Sequence, residues 1–323
     1  NIVNLIVAEE PTRVSAEEMM RVLAPQGVMY VQRNGRWTKT IKPRPEQIDE
    51  WTHYMHDASG NAVAHDTVVG PPRHFQWIGS PRWSRHHEHM SSISGAVSAN
   101  GRLFYIVDEG PKSSIHLPAE WKLVARDAFN GAVLWKRDVP TWFTQLWPLK
   151  SGPAQLPRRI IAIGDRVYVT LGIDAALVAL DAATGELLRT YEGTAATEEV
   201  IYSDGILFMV VNDDPMDRNQ YVPKHMICWN ETGRVAKELA WNEQARSVMA
   251  VQPVTGSILW RSEQIVTPLT LAADSERVYF HTGKEVMCLN RKDGNEVWRS
   301  EPLDTRSPLA VAFAPTLVVH EDV

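Results

Sequence analysis

Cysteine is nearly missing from this chain: two residues, Cys228 and Cys288, stand among 323, and no two cysteines are adjacent. A disulfide-stapled scaffold and a cysteine-rich metal knuckle are thereby excluded, and each thiol reads as a small core hydrophobe. No apolar run approaches the length of a membrane-spanning helix. No basic stripe appears and the formal net charge is −6, which argues against a nucleic-acid surface. A G-x-G-x-G turn of the kind that cradles nucleotide cofactors occurs nowhere. What the chain does have is tryptophan, 12 residues of it, and a 44% hydrophobic content that suffices for a substantial core.

Four copies of one phrase organise the rest: Leu123 to Trp135 (LVARDAFNGAVLW), Leu177 to Arg189 (LVALDAATGELLR), Val248 to Trp260 (VMAVQPVTGSILW) and Val286 to Trp298 (VMCLNRKDGNEVW). Each is an apolar run, a turn ending in glycine, and a second run carrying a large residue four positions after the glycine. Such a phrase predicts a β-hairpin, because Asp, Asn and Thr favour the turn and Gly accepts the positive φ that closes it. Runs led by turn residues precede each copy, among them Gly101 to Val107, Asp165 to Thr170, Asp204 to Val211 and Glu276 to His281. They are rich in β-branched and aromatic residues and read as strands. Shorter apolar runs lie further upstream, so each unit holds three to four antiparallel strands. A β unit repeated at intervals of a few tens of residues is a propeller blade or a solenoid turn.

The phrase resembles the repeat of the PQQ-like, quinoprotein-type β-propellers, whose Trp after the glycine turn wedges against the neighbouring blade. The fold class this implies is mainly β, a partial propeller of four-stranded antiparallel blades. Trp135, Trp260 and Trp298 are expected between blades, while Arg189 replaces the Trp in one copy. The run Trp51 to Asn61 resembles the opening strand of such propellers. In quinoprotein alcohol dehydrogenases the resemblance implies a pyrroloquinoline quinone (PQQ) held by a vicinal disulfide, a stacking Trp and a calcium ion. The absent Cys-Cys pair leads us to expect no quinone in this chain.

The first forty-odd residues differ. Asn4 to Ala8 reads as a strand, Ser15 and Glu18 as a capping box opening a short helix, and Val28 to Val31 as a second strand. Arg21 to Gly27 (RVLAPQG) resembles the late element of Rossmann-like methyltransferases that use S-adenosylmethionine (SAM). Residues 1–42 are thus expected to be the end of such a domain whose cofactor-binding half is elsewhere, and residues 43–323 the propeller, incomplete at its C-terminus. The chain begins without Met and stops in strand-like runs (Pro308 to Val319) before a further glycine turn, so we expect an internal piece of a longer protein. PQQ or SAM is then a matter for the parent chain.

Histidine clusters early. His53, His56, His65, His74, His86, His87 and His89 are seven of the 11 in the chain, interleaved with Asp57 and Asp66. Imidazole and carboxylate so mixed suit either a transition metal or hydrogen-bonded loops around the propeller opening. The glycine intervals of 54, 71 and 38 residues place long insertions around Pro140 to Pro157 and Asn212 to Arg246. Long loops on a rigid scaffold are where binding usually sits. The expected site therefore combines His86, His87, Glu88 and His89 with Asp108, Glu109, Trp142 and Trp147 at one end of the propeller axis. Trp faces suit a saccharide-like ligand, and a protein partner fits equally. Three functions follow: a binding scaffold similar to bacterial outer-membrane assembly propellers, a quinone-dependent oxidoreductase of alcohols or sugars, or an appendage to an upstream methyltransferase. The propeller resemblance implies a periplasmic or cell-envelope setting.

Overall fold

The structure, a computed structural model, describes residues 2–9, 13–70, 73–79, 93–113, 117–140, 142, 156–213, 244–302 and 316–320. At the N-terminal end, β1 (Val3–Ala8), α1 (Ala16–Val22) and β2 (Leu23–Arg33) form the expected βαβ unit, with β1 and β2 parallel. A third strand, β3 (Arg36–Ile41), returns antiparallel through an Asn34-Gly35 turn at positive φ. Met19, Leu23, Met29 and Val31 make its small core. Only half of the capping box forms. Ser15 accepts from the Glu18 amide at 3.1 Å, but the Glu18 carboxylate turns to Arg21, at 2.7 and 2.8 Å. The arginine offers a charge-assisted partner that the Ser15 amide cannot match.

Among the described residues, four four-stranded antiparallel sheets follow. Sheet I holds β4 (Ile93–Ala99), β5 (Arg102–Asp108), β6 (Trp121–Asp127) and β7 (Val133–Asp138). Sheet II holds β8 (Ile160–Ile163), β9 (Arg166–Thr170), β10 (Leu177–Asp181) and β11 (Leu187–Thr190), entered through a 3-10 turn at Leu156–Arg159. Sheet III is β12 (Thr197–Ser203), β13 (Ile206–Val211), β14 (Ala245–Val251) and β15 (Ile258–Ile265). Sheet IV is β16 (Ala272–Ala273), β17 (Arg277–His281), β18 (Val286–Asn290) and β19 (Glu296–Arg299). Every sheet is a meander in sequence order, with β4, β8, β12 and β16 innermost and touching one another. This is the mainly β, partial propeller expected from the repeats.

Middle strands are buried on both faces, as a blade between two blades must be. In β13, Phe208 packs toward sheet IV with Val278 and Phe280, while its neighbour Met209 packs toward sheet II with Tyr168 and Leu177. The Gly131, Gly185, Gly256 and Gly294 turns join the last two strands of their sheets, each at φ between 71 and 77°. Their second role lies across the junction. A Cβ on Gly131 would meet the Trp77 ring at 2.4 Å, one on Gly185 would meet Trp135 at 2.6 Å, and one on Gly294 would meet Trp260 at 2.6 Å. Each indole also donates to the carbonyl three residues before that glycine: Trp77 to Ala128 (3.0 Å), Trp135 to Ala182 (3.0 Å) and Trp260 to Arg291 (2.8 Å). The bare glycine is what lets an indole lie flat on the turn.

Two corrections to the sequence reading arise here. Trp298 is 38% exposed, since no described residue of a following sheet covers it. Trp51 to Asn61 is not an opening strand; its backbone makes one isolated bridge, His53 to His56, and spreads its remaining bonds over several sheets. Conversely, the reading missed Trp77 as a junction residue. It takes the place against sheet I that Trp135 takes against sheet II.

Candidate functional site

The inner strands expose one edge of backbone N–H groups toward the axis, and residues 51–59 satisfy them one sheet at a time. Ser98 of sheet I donates to the Trp51 carbonyl (2.6 Å), Ala162 of sheet II to Thr52 (2.9 Å), and Ala273 of sheet IV to Ala58 (2.9 Å). Sheet III is met by a side chain: the Tyr202 amide donates to His53 Nε2 at 2.9 Å. Val319 then donates to Ser59 at 2.9 Å. Ser98, Ala162, Tyr202 and Ala273 stand at the C-terminal ends of their strands, so the segment crosses one end of the axis. Glu50 secures its start, accepting from the Asn100 amide at 2.6 Å. Gly60 secures its end, where a Cβ would lie 2.4 Å from the Leu317 carbonyl oxygen.

Beneath the segment the axis is filled with polar groups. His53 is buried, and its Nδ1 lies 2.7 Å from Thr52 Oγ1, which donates in turn to the His56 carbonyl at 3.1 Å. Because Nε2 must accept from Tyr202, the proton sits on Nδ1 and the ring is neutral. Burial acts the same way, lowering its pKa to about 3. Arg158 and Glu199, 4% and 1% exposed, approach to 3.7 Å. The Glu199 carboxylate accepts from the Leu269 and Leu271 amides, yet burial still pushes its pKa up. Arg158 donates to the Leu271 carbonyl at 2.8 Å. These contacts tie sheets II, III and IV together at the axis.

On the outer side of the same segment, Asp49, His56 and His65 bring three ligand atoms within 4.8 Å of one another. Of the described residues, these are the ones placed to hold a metal ion. Sequence reasoning saw these histidines as part of a rich stretch but did not single them out, because Asp49 and His65 meet only when the chain folds back on itself.

The expected site is differently disposed. Asp108 ends β5, opposite the start of β4, at the far end of sheet I from Ser98. Its carboxylate accepts from the Gly110 and Glu120 amides, both at 2.8 Å, which closes the loop after β5. Glu109 pairs with Lys136 at 2.7 Å. Trp142 is 1% exposed in the core between sheets I and II and donates to Ser94 Oγ at 2.8 Å. His86, His87, Glu88, His89 and Trp147 lie outside the described residues, as does Cys228.

No curated protein sequence matches this chain. Among solved structures, a europium-containing methanol dehydrogenase is 10% identical, with a TM-score of 0.42, covering 80% of this chain and 50% of its own. The quinohemoprotein alcohol dehydrogenase ADHIIG of Pseudomonas putida HK5 is 13% identical, with a TM-score of 0.37, over 68% of this chain and 34% of its own. BamB of Moraxella catarrhalis is 15% identical, with a TM-score of 0.32, over 66% of this chain and 65% of its own. The chain thus spans from a third to two thirds of the length of these proteins, and such scores carry no functional argument. The sequence family is more decisive. The PQQ-like repeat family described as outer membrane protein assembly factor BamB matches residues 28–191 and 244–322, which take in sheets I, II and IV and the last two strands of sheet III. This chain belongs to that BamB-type family of PQQ-like repeat propellers.

Proposed function

We propose that this chain is a propeller scaffold that acts by binding, without a bound quinone, as part of a larger multidomain protein. The observation that carries the reading is the closure of the axis. Residues 51–59 cross one end and bond to all four sheets, and His53, Arg158 and Glu199 fill the space beneath. A flat cofactor on the axis would need that space. The cysteine chemistry also fits a quinone site poorly: among the described residues, Cys288 is a free thiol buried in β18, its pKa pushed up to about 11 by burial.

A protein partner has suitable surfaces. The outer strands β7, β11, β15 and β19 each carry an exposed apolar pair just after the glycine turn: Val133 with Leu134, Leu187 with Leu188, Ile258 with Leu259, and Val297 with Trp298. The periplasmic or cell-envelope setting is part of this proposal and rests on family membership. A saccharide-like ligand held by His86, His87, Glu88, His89 and Trp147 is a subsidiary expectation. Replacing His87 and Glu88 by Ala tests it through loss of saccharide binding at an unchanged melting temperature.

Titration calorimetry with PQQ and calcium tests the main reading. No heat of binding is expected. Micromolar quinone affinity together with dye-linked alcohol oxidation would favour the oxidoreductase instead. The parallel β1–α1–β2 unit supports a second element of the proposal, that residues 1–42 end a methyltransferase-like domain. This chain should still bind no SAM, and a micromolar affinity for it would contradict that element.

A further inference from the structure

We propose that Asp49, His56 and His65 form a binding site for one divalent transition-metal ion, with zinc the best-suited cation. The His56 ring lies between two carboxylates. Nδ1 is 3.1 Å from Asp57 Oδ2 and Nε2 is 2.7 Å from Asp49 Oδ2. A neutral imidazole has a single N–H. If that proton serves Asp57, the Nε2 lone pair faces a carboxylate at hydrogen-bonding distance, which requires a positive centre between them. A proton can fill that place, and so can a metal ligated by both atoms.

The surroundings favour the metal. Asp57 is itself fixed, accepting from the Ser59 amide at 2.8 Å and the Ser59 hydroxyl at 2.6 Å. A carboxylate behind a ligating imidazole sets its tautomer and aim, the usual outer support of a histidine ligand. Trp51 packs edge-on against the His56 ring at 5.2 Å and limits its rotation. The His65 ring stands 5.0 Å from that of His56, on the exposed side where it can swing. The backbone brings the third ligand in, since the His65 amide donates to Asp49 Oδ2 at 2.6 Å and the Asp49 amide to Asp66 at 2.8 Å. Zinc bonds of about 2 Å in a tetrahedron put ligand atoms ~3.3 Å apart. Asp49 and His56 would therefore separate by roughly half an ångström, and His65 would close in. Two imidazole nitrogens and one carboxylate oxygen suit zinc, whereas magnesium and calcium prefer oxygen alone. Three protein ligands leave one position toward solvent. The ion would clasp the two arms of the 49–65 loop over the segment that closes the axis.

The test uses the whole chain, stripped with chelator and titrated with zinc chloride by calorimetry, with elemental analysis for stoichiometry. One equivalent should bind and raise the melting temperature, while magnesium should do neither. His65→Ala, at an exposed position, should leave the fold intact and weaken binding at least tenfold. Asp57→Asn, which removes no ligand, should weaken it by about 10- to 100-fold. A chain with His86, His87 and His89 all changed to Ala should bind as before. No zinc uptake, uptake unaffected by His65→Ala, or uptake abolished by the triple change would each overturn the site.

Discussion

Glycine at the blade turn answers two demands, and substitutions can separate them. Gly185 and Gly205 both have positive φ, 75° and 84°, but only Gly185 lies under an indole; nothing stands within 4 Å of a Cβ on Gly205. Gly205→Ala should cost about 1–2 kcal/mol for the left-handed backbone. Gly185→Ala should cost about 2–5 kcal/mol, because overpacking against Trp135 adds to the same backbone term. Urea denaturation of both variants checks this, and equal losses would mean that the ring does not dock on the turn. The odd junction follows the same logic with different chemistry. Where Arg189 replaces Trp, its aliphatic stem lies over the turn, so that a Cβ on Gly256 would meet Arg189 Cδ at 3.2 Å, and the Tyr191 hydroxyl donates to the Pro253 carbonyl at 2.6 Å. That carbonyl is again three residues before the glycine, so the tyrosine replaces the indole N–H. Tyr191→Phe should lose about 0.5–1.5 kcal/mol, read from the denaturation midpoint. No loss would mean the carbonyl is served otherwise.

His53 makes stability depend on pH. Its pKa falls from 6.5 to about 3 on folding, so between those values the unfolded chain binds the extra proton and stability declines as the pH falls. The slope approaches ~1.4 kcal/mol per pH unit once the pH is well below 6.5. Glu199 works in the opposite sense, its raised pKa favouring the folded state as acid is added. The difference between the parent chain and His53→Gln, whose amide oxygen can still accept from Tyr202, isolates the histidine. The variant should show a shallower loss between about pH 6.5 and 5, and identical slopes would contradict a neutral buried ring.

At the scale of elements, local pattern and long-range closure separate cleanly. The hairpins were legible because Asp127, Asp181 and Asn290 cap their turns within a few residues, accepting from amides two residues on at 2.8 to 2.9 Å. The β1–α1–β2 unit was legible from the same short-range signals. The role of residues 51–59 was not. Thr52 and Ala58 sit six positions apart yet serve sheets II and IV, and nothing in their neighbours encodes amide donors more than a hundred residues distant. Trp77 was hidden for the same reason, since its partner Gly131 lies far along the chain and no hairpin phrase surrounds it. Asp108 and Trp142 were read as site residues from their types. Their places, a loop cap and a core ring, are decided by packing that residue type does not report. His56 was visible in the sequence, but its partnership with Asp49 and His65 needed the fold.

On the scale of the whole molecule, the sheets stack by repeating one contact, an outer-strand side chain laid on the glycine turn of the next sheet (Trp135 and Trp260 at two junctions, Arg189 at the third), and are then tied at the axis by one crossing segment. The stacking alone makes stability a sum of nearest-neighbour junctions. The crossing segment adds cooperativity, because loss of residues 51–59 would release all four inner edges together. Amide hydrogen exchange of the intact chain measures this most directly. The Ala162 and Ala273 amides, which donate to Thr52 and Ala58, should exchange as slowly as those in β9 and β17. Exchange as fast as in the Gly164 and Gly205 hairpins, with β9 and β17 still protected, would contradict closure of the axis by this segment.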